Sequence, residues 1–139
     1  MIVYVDTSVL LRLVLGEPEA LTTWATAERA ISSDLARVEA LRTIDRARIS
    51  HALGDDVVAA RRAGVLRLLD GLALVTVDAA VLNRSAEPFP TVLGTLDAIH
   101  LATAILVRDE HPDLVFATHD RALATGARAV GFRVLGAPA

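Results

Sequence analysis

Four acidic side chains stand at points in the sequence from which their carboxylates could share one site. Asp6 directly follows a short apolar run near the amino terminus, and Asp120 follows a second such run near the carboxyl terminus. Asp97 opens an apolar segment with helical spacing, and Glu39 lies inside another helical segment. In a chain without cysteine, clustered carboxylates suit hard cations such as Mg²⁺ or Mn²⁺, which bind phosphate oxygens readily. These residues therefore predict metal-assisted hydrolysis of a phosphate ester.

Three of these acids also have an ordinary structural explanation. Asp6, Asp97 and Asp120 each stand at the start of a predicted helix, where free backbone N–H groups and the helix dipole favour a carboxylate. Asp97 is harder to explain in this way, because it lies beside the apolar stripe of its helix and an unpaired buried charge is costly. We therefore expect Asp97 to have a partner or a bound cation.

The helical acid Glu39 is the least distinctive of the four. Arg42 and Arg46 share its side of the helix, which is typical of a solvated Glu–Arg pair, and Asp34 and Asp45 compete with it for the same role. The two arginines are our first candidates for contacts with substrate phosphates, and local ion pairs are the equal alternative. The side of this helix that is predicted to face the core contains Val38, Leu41 and Ile44.

The elements that must position these acids alternate between short strands and helices. The apolar patterning predicts strands at residues 2–5, 30–32, 72–77, 114–118 and 131–135. It predicts helices at residues 8–15, 18–29, 34–50, 55–70, 79–86, 95–108 and 120–129. This alternation is typical of an α/β fold whose parallel sheet is covered by helices on both faces. Ligand sites in such folds lie at the carboxyl ends of the strands, where Asp6 and Asp120 stand.

Length and composition indicate one folded domain spanning residues 1–139. Hydrophobic residues make up 53% of the chain, which excludes a disordered protein. The net charge is −3, so any contact with nucleic acid must come from a local patch of positive charge. The amino terminus lacks the features of a signal peptide, and no apolar run is long enough to span a membrane. We therefore expect a cytoplasmic protein with no membrane contact.

Other functional classes lack their characteristic motifs. There is no glycine-rich phosphate loop and no serine nucleophile elbow. The four histidines are scattered, and we expect His100 to be a packed core residue. A receiver-like regulatory domain also clusters acids at strand ends, but it requires a late lysine and the chain has no lysine.

Four segments carry a resemblance to a known family. They are Asp6-Thr7-Ser8, the helix around Glu39, the stretch LDAIHLATA at residues 96–104, and Thr118-His119-Asp120. These segments resemble the PIN domain and, more narrowly, the ribonuclease toxins of VapBC toxin–antitoxin systems, over nearly the whole chain. The resemblance implies a three-layer α/β/α sandwich with a mostly parallel sheet of about five strands.

The same resemblance implies an endoribonuclease that uses Mg²⁺ or Mn²⁺ and leaves a 5′-phosphate and a 3′-hydroxyl. In this interpretation the three aspartates and the glutamate form the metal site. The aspartates hold the cation directly or through water, the glutamate also orients or activates the attacking water, and two hydroxyl groups are accessory. The matching residues are Asp6, Glu39, Asp97 and Asp120, with Ser8 and Thr118 as the hydroxyls. Arg42 and Arg46 then become candidates for RNA contact.

A protein partner is the remaining expectation. The first helical region carries more leucine and valine than one core-facing stripe needs, so part of it is expected to be exposed on the monomer. Our candidates for an apolar groove are Leu11, Val14 and Trp24. A helix that is buried on both sides, or a homodimer contact, would explain the same pattern. The resemblance implies a cognate antitoxin that lies along such a groove and places an arginine in the acidic pocket.

The alternative function is a non-catalytic PIN-like subunit whose acids only dock an arginine-bearing partner. Mg²⁺-dependent RNA cleavage that is lost in Asp6→Asn would distinguish the enzyme from this binding module.

Overall fold

Five short parallel strands form the central sheet of the computed structural model, which describes residues 1–139. The strands are β1 (Ile2–Val5), β2 (Arg29–Ser33), β3 (Ala73–Val75), β4 (Val115–Ala117) and β5 (Val134–Leu135). The helices are α1 (Thr7–Val14), α2 (Leu35–Ser50), α3 (Asp55–Asp70), α4 (Ala79–Ser85), α5 (Thr95–Glu110) and α6 (Arg121–Ala129). None of these helices combines the length and the apolar character that crossing a membrane requires.

The order of the strands places a crevice at the carboxyl ends of β1 and β4. The order is β3-β2-β1-β4-β5, and every neighbouring pair is parallel. From β1 the chain continues towards β2, whereas from β4 it continues towards β5, so the two connections diverge. Such a switch point opens a crevice beyond the strand ends. Asp6 and Asp120 begin the two diverging connections.

Alternating side chains of the middle strands bury both faces of the sheet. Val3 and Val5 pack with α1, α2 and α3 on one face, whereas Tyr4 and Phe116 pack with α5 and α6 on the other. Residues 3–5 are fully buried, and for this reason β1 has an unbroken apolar sequence. The predicted three-layer α/β/α sandwich with a parallel sheet of five strands is confirmed.

The segment between α1 and β2 is not the helix that the sequence predicted for residues 18–29. The chain leaves α1 through Gly16, whose φ of +66° lies in the left-handed region, and then forms only a single 3₁₀ turn. The backbone N–H of Leu21 donates to Nε2 of His119 at 3.1 Å, and the other ring nitrogen of His119 lies 2.8 Å from the carbonyl oxygen of Gly136. The Leu21 N–H therefore bonds to a distant side chain instead of to a helix carbonyl. The local sequence pattern contains no sign of this long-range bond.

Trp24 lies in the core, so the expectation that it is exposed on a groove is wrong. Its side chain is only 5% exposed and packs in the cluster between the sheet and helices α1, α2 and α3. Its indole N–H donates to the carbonyl oxygen of Leu21 at 2.9 Å. A buried tryptophan needs a hydrogen-bond acceptor for its N–H, and the Leu21 carbonyl provides one here, so the indole N–H does not need to reach solvent.

The buried side of α2 agrees with the prediction at Ile44 and Leu41 and differs from it at Val38. Ala36, Ala40 and Ile44 are fully buried and recur every four residues. Val38, which was expected in the core, is 54% exposed. The hydrophobic spacing misled the prediction because two of the core-facing positions are alanines, which are apolar but small. Glu39 stands next to the buried Ala40 and is thereby brought to the edge of the sheet.

Candidate active site

A cleft of about 440 Å³ lies at the carboxyl end of the sheet, and all four predicted acids line it. They come from four separate parts of the chain: Asp6 before α1, Glu39 on α2, Asp97 in the first turn of α5 and Asp120 before α6. The rest of the lining combines hydroxyl, arginine and apolar side chains. These are Thr7, Ser8, Leu11, Leu35, Val38, Arg42, Thr43, Arg46 and Leu96.

Two hydroxyl groups hold Asp6, and both use the same carboxylate oxygen. Ser8 Oγ donates to Asp6 Oδ2 at 2.6 Å, and Thr118 Oγ1 donates to it at 2.9 Å. The backbone N–H of Ser8 also points to this oxygen, at 3.4 Å, so that Asp6 caps α1. The other oxygen, Oδ1, accepts none of these bonds. Oδ1 therefore accepts no hydrogen bond, although Nε2 of His100 lies 3.5 Å from it, and the nearly buried carboxylate lines the cleft.

Asp120 caps α6 and lines the cleft at the same time. Its Oδ1 accepts a hydrogen bond from the backbone N–H of Leu123 at 2.8 Å. Its own backbone N–H donates to Thr118 Oγ1 at 3.0 Å, and the Thr118 hydroxyl in turn donates a hydrogen bond to Asp6 Oδ2. Helix capping and a place in the cleft are thus compatible, because capping uses only one oxygen of the carboxylate. Thr118 is buried beneath the two aspartates that it joins.

Glu39 reaches the cleft from α2 and is held by two donors. Thr7 Oγ1 donates to Glu39 Oε1 at 2.8 Å, and Nε2 of His100 lies 2.5 Å from the same oxygen. Burial raises the pKa of Glu39, but the hydrogen bond and charge of His100 and the Thr7 hydroxyl outweigh it, so the pKa falls below 4.5. Glu39 is therefore ionised at neutral pH. The competing acids Asp34 and Asp45 do not line the cleft.

Asp97 is the acid with the least compensated charge. Burial raises its pKa, and the nearby charges of Asp120, Asp6 and Glu39 raise it further, whereas His100 opposes them. The result is a pKa of about 6, compared with an ordinary value of 3.8. The carboxylates of the cleft are therefore close enough to repel one another, as clustered carboxylates do when no cation lies between them.

His100 and Thr7 contact the acids of the site, although no sequence pattern predicted this role for them. His100 is fully buried, as expected, but its Nε2 also lies 3.5 Å from Asp6 Oδ1. Burial lowers the pKa of His100, but its hydrogen bond to Glu39 and the charge of Asp6 raise the pKa more, so the balance lies above 6.5. The available signal was a single histidine one turn after Asp97 on the buried face of a helix, where it needs a polar partner.

The carboxylate oxygens of the cleft are suitable ligands for a hard divalent cation. No three acidic or histidine side chains are already grouped as a complete metal site. Mg²⁺ does not need such a group, since one or two carboxylates with waters and substrate phosphates usually complete its shell. The raised pKa of Asp97 marks negative charge that a cation would neutralise. Asp6, Asp97 and Asp120 together supply oxygen ligands of the kind that Mg²⁺ and Mn²⁺ take.

Arg42 and Arg46 line the α2 side of the cleft. Both are exposed, and neither takes part in any of the ion pairs of the structure. The alternative that local acids neutralise them therefore does not hold in this structure. Two unpaired positive charges stand beside four acids, which is an arrangement suited to a substrate that carries phosphates.

The three residues that were predicted to share one apolar groove lie in three different places. Leu11 lines the acidic cleft. Val14 lines a separate groove between α1 and α3, with Leu13, Ala60, Gly64 and Leu68 among its neighbours. Trp24 belongs to the core.

Proteins of known sequence are similar to this chain over most of its length. Residues 3–128 match the family model described as the PIN domain. Ribonuclease VapC47 of Mycobacterium tuberculosis is 37% identical over 137 residues, which cover 94% of this chain and 93% of that protein. Ribonuclease VapC46 of the same organism is 42% identical over 105 residues, which cover 73% of each protein.

Two solved structures share the fold. One is the crystal structure of VapBC2 from Rickettsia felis bound to a DNA fragment from its promoter, with a TM-score of 0.67 at 12% identity over 97% of this chain and 98% of that one. The other is a toxin–antitoxin complex from Klebsiella pneumoniae, with a TM-score of 0.64 at 21% identity over 96% and 95%. At these identities the likeness concerns the fold alone. The match of the family model, together with relatives more than 30% identical along almost all of the chain, shows that this chain belongs to the PIN domain family and, within it, to the VapC group.

Proposed function

We propose that this protein is a Mg²⁺- or Mn²⁺-dependent endoribonuclease and the toxin of a cytoplasmic toxin–antitoxin system. Its relatives of the VapC group are named ribonucleases. The observation that carries the proposal is the convergence of Asp6, Glu39, Asp97 and Asp120 on one cleft at the switch point of the sheet. The pKa of Asp97, raised first by burial and then by the charges of Asp120, Asp6 and Glu39, supports a cation as the common partner of these acids.

The residues of the cleft have separate tasks in this proposal. Asp6, Asp97 and Asp120, with Glu39 beside them in the same cleft, would hold the cation directly or through water. When bound, the cation lowers the pKa of a water ligand and neutralises charge that develops on the phosphate. Glu39, ionised because of its lowered pKa, accepts a proton from the attacking water or orients that water by a hydrogen bond. Hydrolysis leaves a 5′-phosphate and a 3′-hydroxyl.

Other side chains keep this arrangement in place and bring RNA to it. Ser8 and Thr118 act as accessory residues, because their hydroxyl groups fix one oxygen of Asp6. Arg42 and Arg46 contact RNA phosphates beside the acids, since both guanidinium groups are exposed and unpaired. The overall charge of the chain is negative, so this local pair of arginines carries the electrostatic attraction to RNA.

The proposed inhibitor is a cognate antitoxin that enters the same cleft. Val38 and Leu96 on the cleft wall are 54% and 48% exposed, so apolar side chains flank the acids. An antitoxin arginine flanked by apolar residues matches this surface, and its charge would satisfy the carboxylates in place of the cation. We also propose that the toxin is a homodimer, which light scattering of the purified protein would test.

The test is cleavage of RNA by the purified protein with mapping of the new 5′ ends. We expect cleavage in Mg²⁺ by the wild-type protein, none in excess EDTA and none by Asp6→Asn. Asp45→Asn is the matched control, because Asp45 is an exposed acid on α2 that pairs with Arg48 outside the cleft. Cleavage that persists in EDTA would exclude the cation. An inactive wild-type protein that still binds an arginine-bearing partner through Asp6 would support the non-catalytic alternative.

A further inference from the structure

Two buried polar side chains lie behind the acids of the cleft. His100 on α5 is fully buried, and its Nδ1 lies 2.8 Å from the hydroxyl oxygen of Tyr4 on β1. Tyr4 is fully buried as well, and its ring stacks on Phe116 with 5.3 Å between the ring centroids. The imidazole is therefore held by a hydrogen bond and by aromatic packing, so its orientation has little freedom.

The imidazole joins the two helical layers of the sandwich. His100 belongs to α5 on one face of the sheet, whereas Glu39 belongs to α2 on the other face. Nε2 of His100 nevertheless lies 2.5 Å from Glu39 Oε1, beyond the carboxyl end of β1. This hydrogen bond is the direct polar link between the α5 layer and the acid that α2 contributes to the cleft.

The donors that hold Glu39 all use one of its two oxygens. Nε2 of His100 and Oγ1 of Thr7 both contact Oε1, and no donor of the chain contacts Oε2. A glutamate side chain has three rotatable bonds, and its carboxylate would be free to turn without such contacts. Because both contacts hold Oε1, the orientation of the whole carboxylate is fixed, and with it the position of Oε2. Glu39 lines the cleft, so this fixes the oxygen that is free to act there.

We propose that His100, oriented by Tyr4, is a positioning residue that sets the direction of the Glu39 carboxylate in the cleft. His100 acts through Glu39 and contacts neither RNA nor the cation. The inference rests on the proposed function, because it assigns His100 a part in cation binding and phosphodiester hydrolysis at the same site. Groups that orient a ligand or a catalytic carboxylate in this way typically change metal affinity or activity by about 10–100-fold when they are removed.

If the role of His100 were purely structural, different results would be expected. If His100 only filled space, an apolar residue of similar volume would serve as well, and the Tyr4 hydroxyl would not matter to the cleft. His100→Leu fills the space without a donor. His100→Gln keeps a side-chain N–H that can reach Glu39. Tyr4→Phe keeps the stacked ring and removes only the hydroxyl, so it tests the orienting bond with the least disturbance of packing.

The experiment measures Mn²⁺ binding by titration calorimetry and RNA cleavage by steady-state kinetics for these three variants. We expect His100→Leu to weaken Mn²⁺ binding about 10-fold and to lower kcat by 10-fold or more while KM changes little. His100→Gln should recover most of both losses, and Tyr4→Phe should fall between Gln and wild type. Val65→Ala is the matched control, because Val65 is a fully buried core residue of α3 outside the cleft. It should lower the unfolding temperature and leave Mn²⁺ affinity unchanged.

The outcomes separate this proposal from the proposed function. If the wild-type protein binds Mn²⁺ but cleaves no RNA, the ribonuclease proposal fails, and the Mn²⁺ affinities of the variants still decide the role of His100. If the wild type cleaves RNA and His100→Leu matches it in kcat and in Mn²⁺ affinity, the positioning role is overturned and the ribonuclease stands. Should His100→Leu not fold, wild-type Mn²⁺ affinity in Tyr4→Phe overturns the proposal. A wild-type protein that binds no Mn²⁺ overturns both.

Discussion

Replacing Asp97 with asparagine is expected to stabilise the metal-free protein. The carboxylate of Asp97 is partly buried beside Asp120, Asp6 and Glu39, and these surroundings raise its pKa from 3.8 to about 6. Ionisation of Asp97 at neutral pH therefore works against the folded state. Asparagine has nearly the same shape and carries no charge, so Asp97→Asn removes the repulsion without creating a cavity.

The magnitude follows from the pKa of Asp97. A difference of about 2 pH units corresponds to at most about 3 kcal/mol, at about 1.4 kcal/mol per unit. The side chain is partly exposed, so solvent screening reduces this to about 1.5 kcal/mol. Loss of a carboxylate from the first turn of α5 costs about 0.5 kcal/mol through the helix dipole. The net gain of about 1 kcal/mol corresponds to a rise of about 3 °C in Tm for a domain of this size.

The sign of the effect depends on pH. Because the folded pKa of Asp97 lies above the unfolded value, the wild-type protein loses stability as the pH rises from about 4 through about 6. The variant should therefore match or fall slightly below the wild type near pH 4, and its advantage should be complete above about pH 7. Bound Mg²⁺ should reverse the order, because it stabilises the protein that retains the ligand.

Thermal unfolding in EDTA at three pH values between 4 and 8 measures this prediction. Asp78→Asn is the control, because Asp78 caps α4 through the backbone N–H of Val81 and lies outside the cleft. It should give no gain that grows with pH. If Asp97→Asn were less stable than the wild type at pH 8 in EDTA, Asp97 would be a structural residue of the helix and the repulsion argument would be refuted.

Three further substitutions test other parts of the structure. Glu39→Gln should destabilise the metal-free protein by about 1–2 kcal/mol in urea at pH 7, because it loses a charge-assisted bond from His100, and a gain would contradict that bond. Trp24→Ala should cost about 3–5 kcal/mol in the same assay, and a loss below about 1 kcal/mol would place the indole outside the core. Gly136→Ala should cost about 1–3 kcal/mol in thermal unfolding, because its φ is +94° and a Cβ would lie 2.6 Å from the Thr118 carbonyl oxygen; an unchanged Tm would contradict this tight fit.

The fold was predictable because its main signals are local. Strands that are buried on both faces are short apolar runs, and helices that follow them begin at capping residues such as Asp6, Asp78 and Asp120. In a parallel sheet all carboxyl ends lie at one edge, so Asp6 and Asp120 could be assigned to that edge from the sequence, whereas their proximity follows from the pairing of β1 with β4. Glu39 could not be placed in this way, because it lies inside a helix and does not directly follow a strand.

What the sequence did not predict depends on contacts between distant residues. The helix expected at residues 18–29 is absent, and its backbone instead bonds to a histidine far along the chain. Trp24 was predicted to be exposed because its region has more apolar residues than one core-facing stripe needs. That excess does not show which of these side chains pack against the sheet. His100 was correctly placed in the core, but its second nitrogen reaches Glu39 across two layers, and no spacing within one helix shows this.

The ring of His119 links two segments that are far apart in sequence. A carbonyl oxygen can only accept and a backbone N–H can only donate, so the bonds to Gly136 and Leu21 require a neutral imidazole with its proton on Nδ1. A rotation of this ring would break both bonds in a single event. Because one ring makes both bonds, we expect the loop after α1 and the carboxyl-terminal tail to open together, which deuterium exchange of the Leu21 amide would test.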